Sequence, residues 1–335
     1  MTPRRIAYLS FTDRGAALAE RLRAALGGTA SCTRRMEVFS LSRWTSEAFC
    51  DYDALVFVGA VGIAVRAVAP FLKSKAKDPA VVAVDECGRF AVPVVSGHLG
   101  GANDLAREIS KICGAVPVIT TATDVNGRFA VDEWAKHQNC AVTDPHGIKA
   151  VSAKILAGQV VRIRSEWPVE GERPEGVALT DGPDWDVWVD IRRHSGGLCL
   201  APKALVLGVG CRKGTSREAL EIAFQEMCAE QDLWPEAVCA AATIDLKAEE
   251  AGLLDFCAGH GWPLTCYSAE ELRQTEGTFT ASAFVERTTG VDNVCERSAV
   301  LAAGGALLTG KHAGNGVTMA LAWRPFRLDW RWKDA

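Results

Sequence analysis

Short apolar runs alternate along the chain with stretches whose apolar residues recur at helical spacing, the rhythm of strands covered by helices. Residues 5–10 predict a strand, 16–25 a helix stopped at Gly27-Gly28, 36–39 a second strand and 54–58 a third. The third runs through Gly59-Ala60-Val61-Gly62 into a helix over 63–72 that carries Arg66. Residues 73–79 turn, 80–85 form a fourth strand, and a hairpin turn at 86–89 leads into a strand over 90–95. Leu105, Ala106, Ile109, Ile112 and Cys113 then share a helix face, with Asn103 as its expected cap and Gly114 as its stop; a strand over 116–120 follows. Residues 137–200 read differently, with scattered prolines, Trp167, Trp185 and Trp188, and one alternating strand over 187–191. From 203 the alternation resumes: a strand over 204–209, a helix over 215–230 that Thr215 and Glu218 start as a capping box, a strand over 240–244, and a helix over 249–258. A strand over 263–267, a short helix capped by Ser268 with Glu271, an apolar helix over 299–308 and a strand over 317–322 close the chain. The pattern predicts an α/β protein: two doubly wound parallel-sheet domains, 1–136 and 203–335, joined by a small β-containing middle module over 137–202.

Composition narrows the class. The 335 residues are 48% hydrophobic and 23% charged with mean hydropathy +0.06, enough to bury a substantial core in more than one domain. Net charge −4 and no stripe of lysine and arginine argue against a nucleic-acid partner. The longest apolar run, 54–65, stops at Arg66 and is too short to span a bilayer. Residues 1–10 lack a signal-peptide pattern, so the expected location is the cytoplasm. The 12 cysteines show no C-x-x-C pair and the histidines no H-E-x-x-H spacing, so neither pattern marks a metal site.

Candidate chemistry gathers at glycine loops. Ser96-Gly97-His98-Leu99-Gly100-Gly101-Ala102-Asn103 lies between a strand and a helix start, where backbone N–H groups approach a ligand and negative charge is favoured. His98 is the residue there that moves a proton near neutral pH. Ligands of open parallel sheets bind at strand carboxyl ends, so Gly59 to Gly62, Asp85, Ser96 to Asn103 and Thr120 to Asp124 are expected to converge on one rim. In the second half, Gly208-Val209-Gly210-Cys211-Arg212-Lys213-Gly214 precedes a helix. It fits neither a P-loop nor the dinucleotide fingerprint, and what survives is anion capture by free amides, Arg212 and Lys213. The bland alternative is glycines that only turn the chain, beside solvated charges.

Several strings resemble one family. Phe57 to Arg66, Lys75 to Asp85 with Asp78-Pro79-Ala80-Val81, Ser96 to Asn103 and Val118 to Asp124 are similar to the amino-terminal signature of the cobalt-precorrin-5A hydrolase (CbiG) family of anaerobic cobalamin biosynthesis. Gly208 to Gly214, Thr243-Ile244-Asp245-Leu246-Lys247, Gly290-Val291, Val294-Cys295-Glu296, Lys311 and Thr318 resemble its carboxyl-terminal domain; Arg297-Ser298 departs from the small residue or proline usual there. The resemblance implies opening of a δ-lactone on a cobalt tetrapyrrole, with a ring-bridging carbon and its methyl group leaving as acetaldehyde. Such chemistry needs an activated water and a stabilised oxyanion. His98 is the candidate base, with amides around Gly100 and Gly101 as oxyanion donors. Glu296, buried at a strand-to-helix turn, is the alternative base. A substrate rich in acetate and propionate groups suits Arg66, Arg212, Lys213, Lys247 and Lys311 beside loops, and Gly59, Gly62, Ser96, Gly97, Asn103, Gly210, Cys211, Gly214 and Asp245 complete the expected substrate contacts. Cobalt enters inside the substrate, so no cofactor is expected. Partners are this substrate and neighbouring pathway enzymes in transient contact, without nucleic acid or membrane. Competing readings are a non-catalytic tetrapyrrole carrier and a nucleotide-dependent oxidoreductase.

Overall fold

A computed structural model describes residues 4–74 and 77–332 of the chain, so Lys75 and Ala76, part of the turn read over 73–79 and of one matching string, lie outside the described residues. In sequence, β1 (Ile6–Ser10), α1 (Asp13–Leu26), β2 (Thr29–Cys32), α2 (Leu41–Asp51), β3 (Ala54–Val58), α3 (Val61–Val68), β4 (Ala80–Val84), β5 (Phe90–Val95), α4 (Ala102–Cys113), β6 (Val116–Pro117), α5 (Ala122–Val125) and α6 (Val131–His137) build the first half. The strands form one sheet in the order β2-β1-β3-β4-β5-β6. Continuous apolar runs occupy its centre because both faces are covered. Val56 and Val82 pack with Leu22, Leu105 and Ile109 of α1 and α4, while Leu55, Phe57 and Val81 pack with Ala48, Ala64 and Val68 of α2 and α3.

Two expectations fail here for local reasons. No strand forms over 36–39, where Val38 is 92% exposed; β2 lies earlier, and α2, capped by the Ser40 side chain, follows. The sheet is also mixed rather than wholly parallel. The Asp85 carboxylate accepts the N–H groups of Cys87, Arg89 and Phe90, closing a tight turn, so β5 returns antiparallel to β4 with Val84 opposite Ala91 and Val81 opposite Val95. Because β6 runs parallel to β5, the loops after β5 and β6 emerge at the rim where β4 begins. The expected single rim is therefore two. Gly59, Gly62, Arg66 and Asp85 sit at one end of the strands, and Ser96 to Asn103 with Thr120 to Asp124 at the other. Asp85 itself is a turn former.

Along the chain, a second compact unit begins at Trp134. It opens with β7 (Cys140–Val142), α7 (Gly147–Leu156), β8 (Val161–Ser165), β9 (Val169–Glu170), β10 (Val177–Leu179), β11 (Val187–Val189) and β12 (Leu198–Pro202). Five of these strands form a small sheet in the order β10-β8-β11-β12-β7, so the middle region carries a sheet of its own. There follow β13 (Leu205–Cys211), α8 (Arg217–Glu230), β14 (Val238–Ile244), α9 (Ala251–His260), β15 (Leu264–Tyr267), α10 (Ala269–Gln274), α11 (Ala283–Thr289), α12 (Cys295–Ala303), β16 (Leu307–Gly314), β17 (Val317–Trp323) and β18 (Leu328–Asp329). The larger sheet, β15-β14-β13-β17-β16, is mixed as well: β17 runs antiparallel to both β13 and β16. Leu205, Leu207 and Val209 pack with α8 and α9 on one face, and Val206 and Ala240 with Ala299 and Ala303 of α12 on the other. Gly208 permits that second contact, since a Cβ there would lie 1.8 Å from the Cys295 carbonyl oxygen. The predicted box at Thr215 is replaced by Ser216, whose side chain accepts the Ala219 N–H, whereas Ser268 and Glu271 do form one. The helix read over 299–308 divides into α12 and the start of β16. Among the described residues no helix is long and apolar enough to cross a membrane.

Candidate active site

The loop after β5 closes on itself. Ser96 adopts φ +56°, its hydroxyl donates to the Asp78 carbonyl, and the N–H groups of Gly101, Ala102 and Asn103 donate to the carbonyls of His98, Ser96 and Gly97. Gly100 is required by proximity: a Cβ there would sit 2.3 Å from Ser96 Cβ. The Gly101 amide is thus engaged within the loop and is not an oxyanion donor. Helix α4 begins with Gly101 at its cap, and Asn103, read as that cap, turns its side chain to Thr121 and Asp124.

His98 stands on this loop with its side chain 14% exposed. Its Nε2 lies 2.8 Å from Asp124 Oδ2 and its Nδ1 3.1 Å from Asp132 Oδ2. A neutral imidazole donates at one nitrogen only, so carboxylates at both ends call for a doubly protonated ring or a cation in place of one proton. Burial alone lowers the affinity of the ring for its second proton, but the hydrogen bonds to Asp124 and Asp132 and the charges of Asp132 and Glu133 outweigh it and push the pKa up to about 10. His98 by itself therefore carries a proton at neutral pH rather than accepting one. Asp124 is held well below the usual carboxylate range: burial opposes this, but hydrogen bonds from His98 and Thr121 and the charges of His98 and Arg107 prevail. Arg107 Nη2 donates to Asp124 Oδ1 at 2.7 Å and Nη1 to Asp104 at 3.0 Å.

Glu133 completes the cluster and is its outlier. The residue is 5% exposed, its Oε1 is 3.7 Å from His98 Nε2, and among the described residues no hydrogen bond reaches its carboxylate. Burial pushes its pKa up to about 7. His98, Asp124 and Glu133 together offer one imidazole nitrogen and two carboxylate oxygens within 4.8 Å of one another, a donor set able to hold a metal ion.

The other candidates fall elsewhere. Gly59, Gly62 and the exposed Arg66 lie at the opposite rim of the same sheet, with the Gly59 N–H bonded to the Val84 carbonyl. In the second unit, Gly210 and Cys211 end β13, and Arg212, Lys213 and Gly214 continue from it, beside Asp245 and Lys247 after the parallel strand β14. There Glu250 ties the turn together, accepting from the Gly214 N–H at 2.6 Å and Lys247 Nζ at 2.9 Å, so Lys247 is already paired. Arg212 and Lys213 are exposed, without an ion pair among the described residues. Burial pushes the Cys211 pKa up, keeping it a thiol. Glu296 is 1% exposed and saturated: Oε1 accepts from Thr280 Oγ1 at 3.0 Å and Lys311 N at 2.6 Å, and Oε2 from Thr280 N at 2.6 Å and Asn293 Nδ2 at 2.8 Å. Such a carboxylate clasps a loop to β16 and has no lone pair facing a substrate proton. Lys311 meets it through its backbone.

Sequence reading missed Asp132, Glu133, Arg107 and the role of Asp124. The available signal was an adjacent acid pair directly after the apolar Phe129-Ala130-Val131, which predicts buried carboxylates.

Two family models match the chain, Cobalamin synthesis G N-terminal over residues 43–124 and Cobalamin synthesis G C-terminus over 205–322. The chain is 35% identical to a cobalt-precorrin-5A hydrolase of Salmonella typhimurium over 95% of its length and 97% of the relative's. It is 33% identical to another from Priestia megaterium over 83% and 80%. A solved structure of a cobalamin biosynthesis protein G homolog from Sulfolobus solfataricus aligns over 96% of this chain and 98% of that one, at 22% identity and a TM-score of 0.42.

Proposed function

The chain belongs to the cobalt-precorrin-5A hydrolase family, and on that premise we propose that the water attacking the lactone is activated at the His98 cluster of the amino-terminal unit. The reaction is hydrolysis of the δ-lactone of cobalt-precorrin-5A with release of acetaldehyde, a step of cobalamin biosynthesis on a cobalt-tetrapyrrole substrate. One observation carries the choice of centre: a buried histidine with a carboxylate at each ring nitrogen adjoins a third carboxylate, Glu133, that among the described residues accepts no hydrogen bond. At 3.7 Å from His98 Nε2, Glu133 is beyond hydrogen-bond distance and keeps acceptor capacity for a water or a cation at this centre. Asp124 and Asp132 position the His98 ring, and Asn103, Thr121 and Arg107 position Asp124 in turn. The exposed Arg212 and Lys213 suit the peripheral carboxylates of the substrate, where screened attraction steers binding more than it adds affinity. Free cysteines throughout the chain support a reducing compartment, the cytoplasm.

The test is acetaldehyde release from cobalt-precorrin-5A by wild type, His98→Ala and Glu133→Gln. The expected result is release by wild type and a loss of about 10²- to 10⁴-fold in each variant, the range of a positioned acid or base. Variants as fast as wild type overturn the assignment of the centre; wild type that binds the tetrapyrrole and releases nothing is a carrier.

A further inference from the structure

We infer that the His98 cluster is a binding site for one divalent cation of the zinc or manganese class, held by His98 Nε2, Asp124 and Glu133. The inference rests on the reading of this cluster as the reaction centre and names what operates there. Three features of geometry carry it. The three donor atoms lie within 4.8 Å of one another, with Asp124 and Glu133 facing the same ring nitrogen at 2.8 and 3.7 Å. A cation would therefore take the place of the proton between His98 Nε2 and Asp124 Oδ2, which keeps its bonds from Asn103 and Thr121. The opposite nitrogen, Nδ1, is held by Asp132 at 3.1 Å, the carboxylate contact that fixes a metal-ligating imidazole with its other nitrogen free to coordinate. Glu133, nine-tenths and more buried, points into the cluster with Oε1 3.7 Å from His98 Nε2, and its carboxylate accepts no hydrogen bond among the described residues, which leaves it open to a cation.

Charge agrees: Asp124, Asp132 and Glu133 bring three carboxylates to within 4 Å of the His98 ring nitrogens, and Arg107 pairs with Asp124. Ligands of nitrogen and oxygen without thiolate suit zinc and manganese, and three protein ligands leave a position for water. A cation held by His98, Asp124 and Glu133 would lower the pKa of a water bound to it toward neutrality. The hydroxide so supplied would bond to the lactone carbonyl carbon as the ring C–O bond breaks, its proton passing to the departing oxygen. One water and one lactone yield a carboxylate and an alcohol, with one proton released to solvent. The sequence hides the site because Asp124 and Glu133 lie 26 and 35 residues beyond His98, in no recurring spacing.

The test uses the full chain, stripped with a chelator and titrated with Mn²⁺, whose free form is read by electron paramagnetic resonance and which avoids the cysteines. Wild type is expected to take up one Mn²⁺ per chain. Asp132→Asn, which keeps all three ligands, should bind about 10–100-fold more weakly, and Glu133→Gln and His98→Ala more weakly still. Glu133→Gln removes no hydrogen bond, so near-ultraviolet circular dichroism should show it folded even if His98→Ala is not. Absence of stoichiometric uptake by wild type overturns the inference, as does undiminished uptake by folded Glu133→Gln. Acetaldehyde release from the same samples separates the two claims. A stripped wild type at full rate beside inactive His98 and Glu133 variants removes the cation and leaves the centre. Full rates in those variants remove the centre, whatever the titration shows.

Discussion

Glu296→Gln separates the two bases that the sequence offers, and its consequence follows from the four donors around the carboxylate. Glutamine must place its NH₂ at one of the two oxygen positions. At Oε2 it faces two donors that cannot reverse, Thr280 N and Asn293 Nδ2; at Oε1 it faces Lys311 N and the Thr280 hydroxyl, which can rotate to accept. The second placement is the better one and still leaves the Lys311 N–H unsatisfied in a site where Glu296 is 1% exposed. An unsatisfied buried donor costs about 1–3 kcal/mol, and hydrogen bonds to a charged acceptor, worth about 1.5–3 kcal/mol each, become ordinary ones of about 1 kcal/mol. A net loss of about 3 kcal/mol follows. For a unit of this size each kcal/mol moves the midpoint by about 2–4 °C, so the carboxyl-terminal unit should unfold about 6–12 °C earlier. Thermal unfolding followed by circular dichroism measures this, and acetaldehyde release at 25 °C from the still folded variant should fall by less than tenfold. An unchanged midpoint with release reduced by 10²-fold or more refutes the reasoning and makes Glu296 the base.

Gly100→Ala forces a Cβ to within 2.3 Å of Ser96 Cβ and must shift the loop that carries His98; a misplacement of about 1 Å lowers turnover by about 10²-fold, so an active Gly100→Ala enzyme would place the chemistry away from this loop. Arg212→Ala with Lys213→Ala should weaken tetrapyrrole binding and flatten its salt dependence, because exposed cations act through a screened field; an unchanged salt slope in a titration shows that the pair only decorates the surface. Asp329 has its pKa lowered by hydrogen bonds from Arg331 and from Gln138, with burial opposing. Its contribution is therefore present above the ordinary carboxylate range near ~4 and is lost as pH falls through its lowered value. Wild type should be more stable than Asp329→Asn at pH 7, with the gap closing under acid in urea titrations read by the fluorescence of the stacked Trp134 and Trp330; a gap independent of pH excludes ionisation as its source.

The central strands were legible because burial on both faces writes itself as continuous apolar runs, as in β3 and β4. Strand β2, short and built from Thr29, Ala30, Ser31 and Cys32, carries no such run, and its place in the sheet follows from pairing with β1. The direction of β5 was also within reach, since residues 86–89 read as a hairpin turn, and a hairpin reverses the chain. Treating every loop as a carboxyl-end loop of a parallel sheet put Gly59 and His98 on one rim when the hairpin puts them on two. His98 stood out for its glycine loop, but its partners reach it from α5 and α6 at separations of 26 and 34 residues, which no local pattern encodes. Glu296 looked available because its helix start is apolar; that its oxygens are filled depends on Thr280 and Lys311, both distant in sequence.

The most direct test of the His98 cluster as the place where water meets the lactone is the mass of cobalt-precorrin-5A recovered after a single turnover with folded Glu133→Gln in excess. The account predicts substrate bound and recovered with its lactone intact, and no acetaldehyde. Recovery of a product heavier by one water, with acetaldehyde still unreleased, would mean that the lactone opens without this cluster and would contradict it.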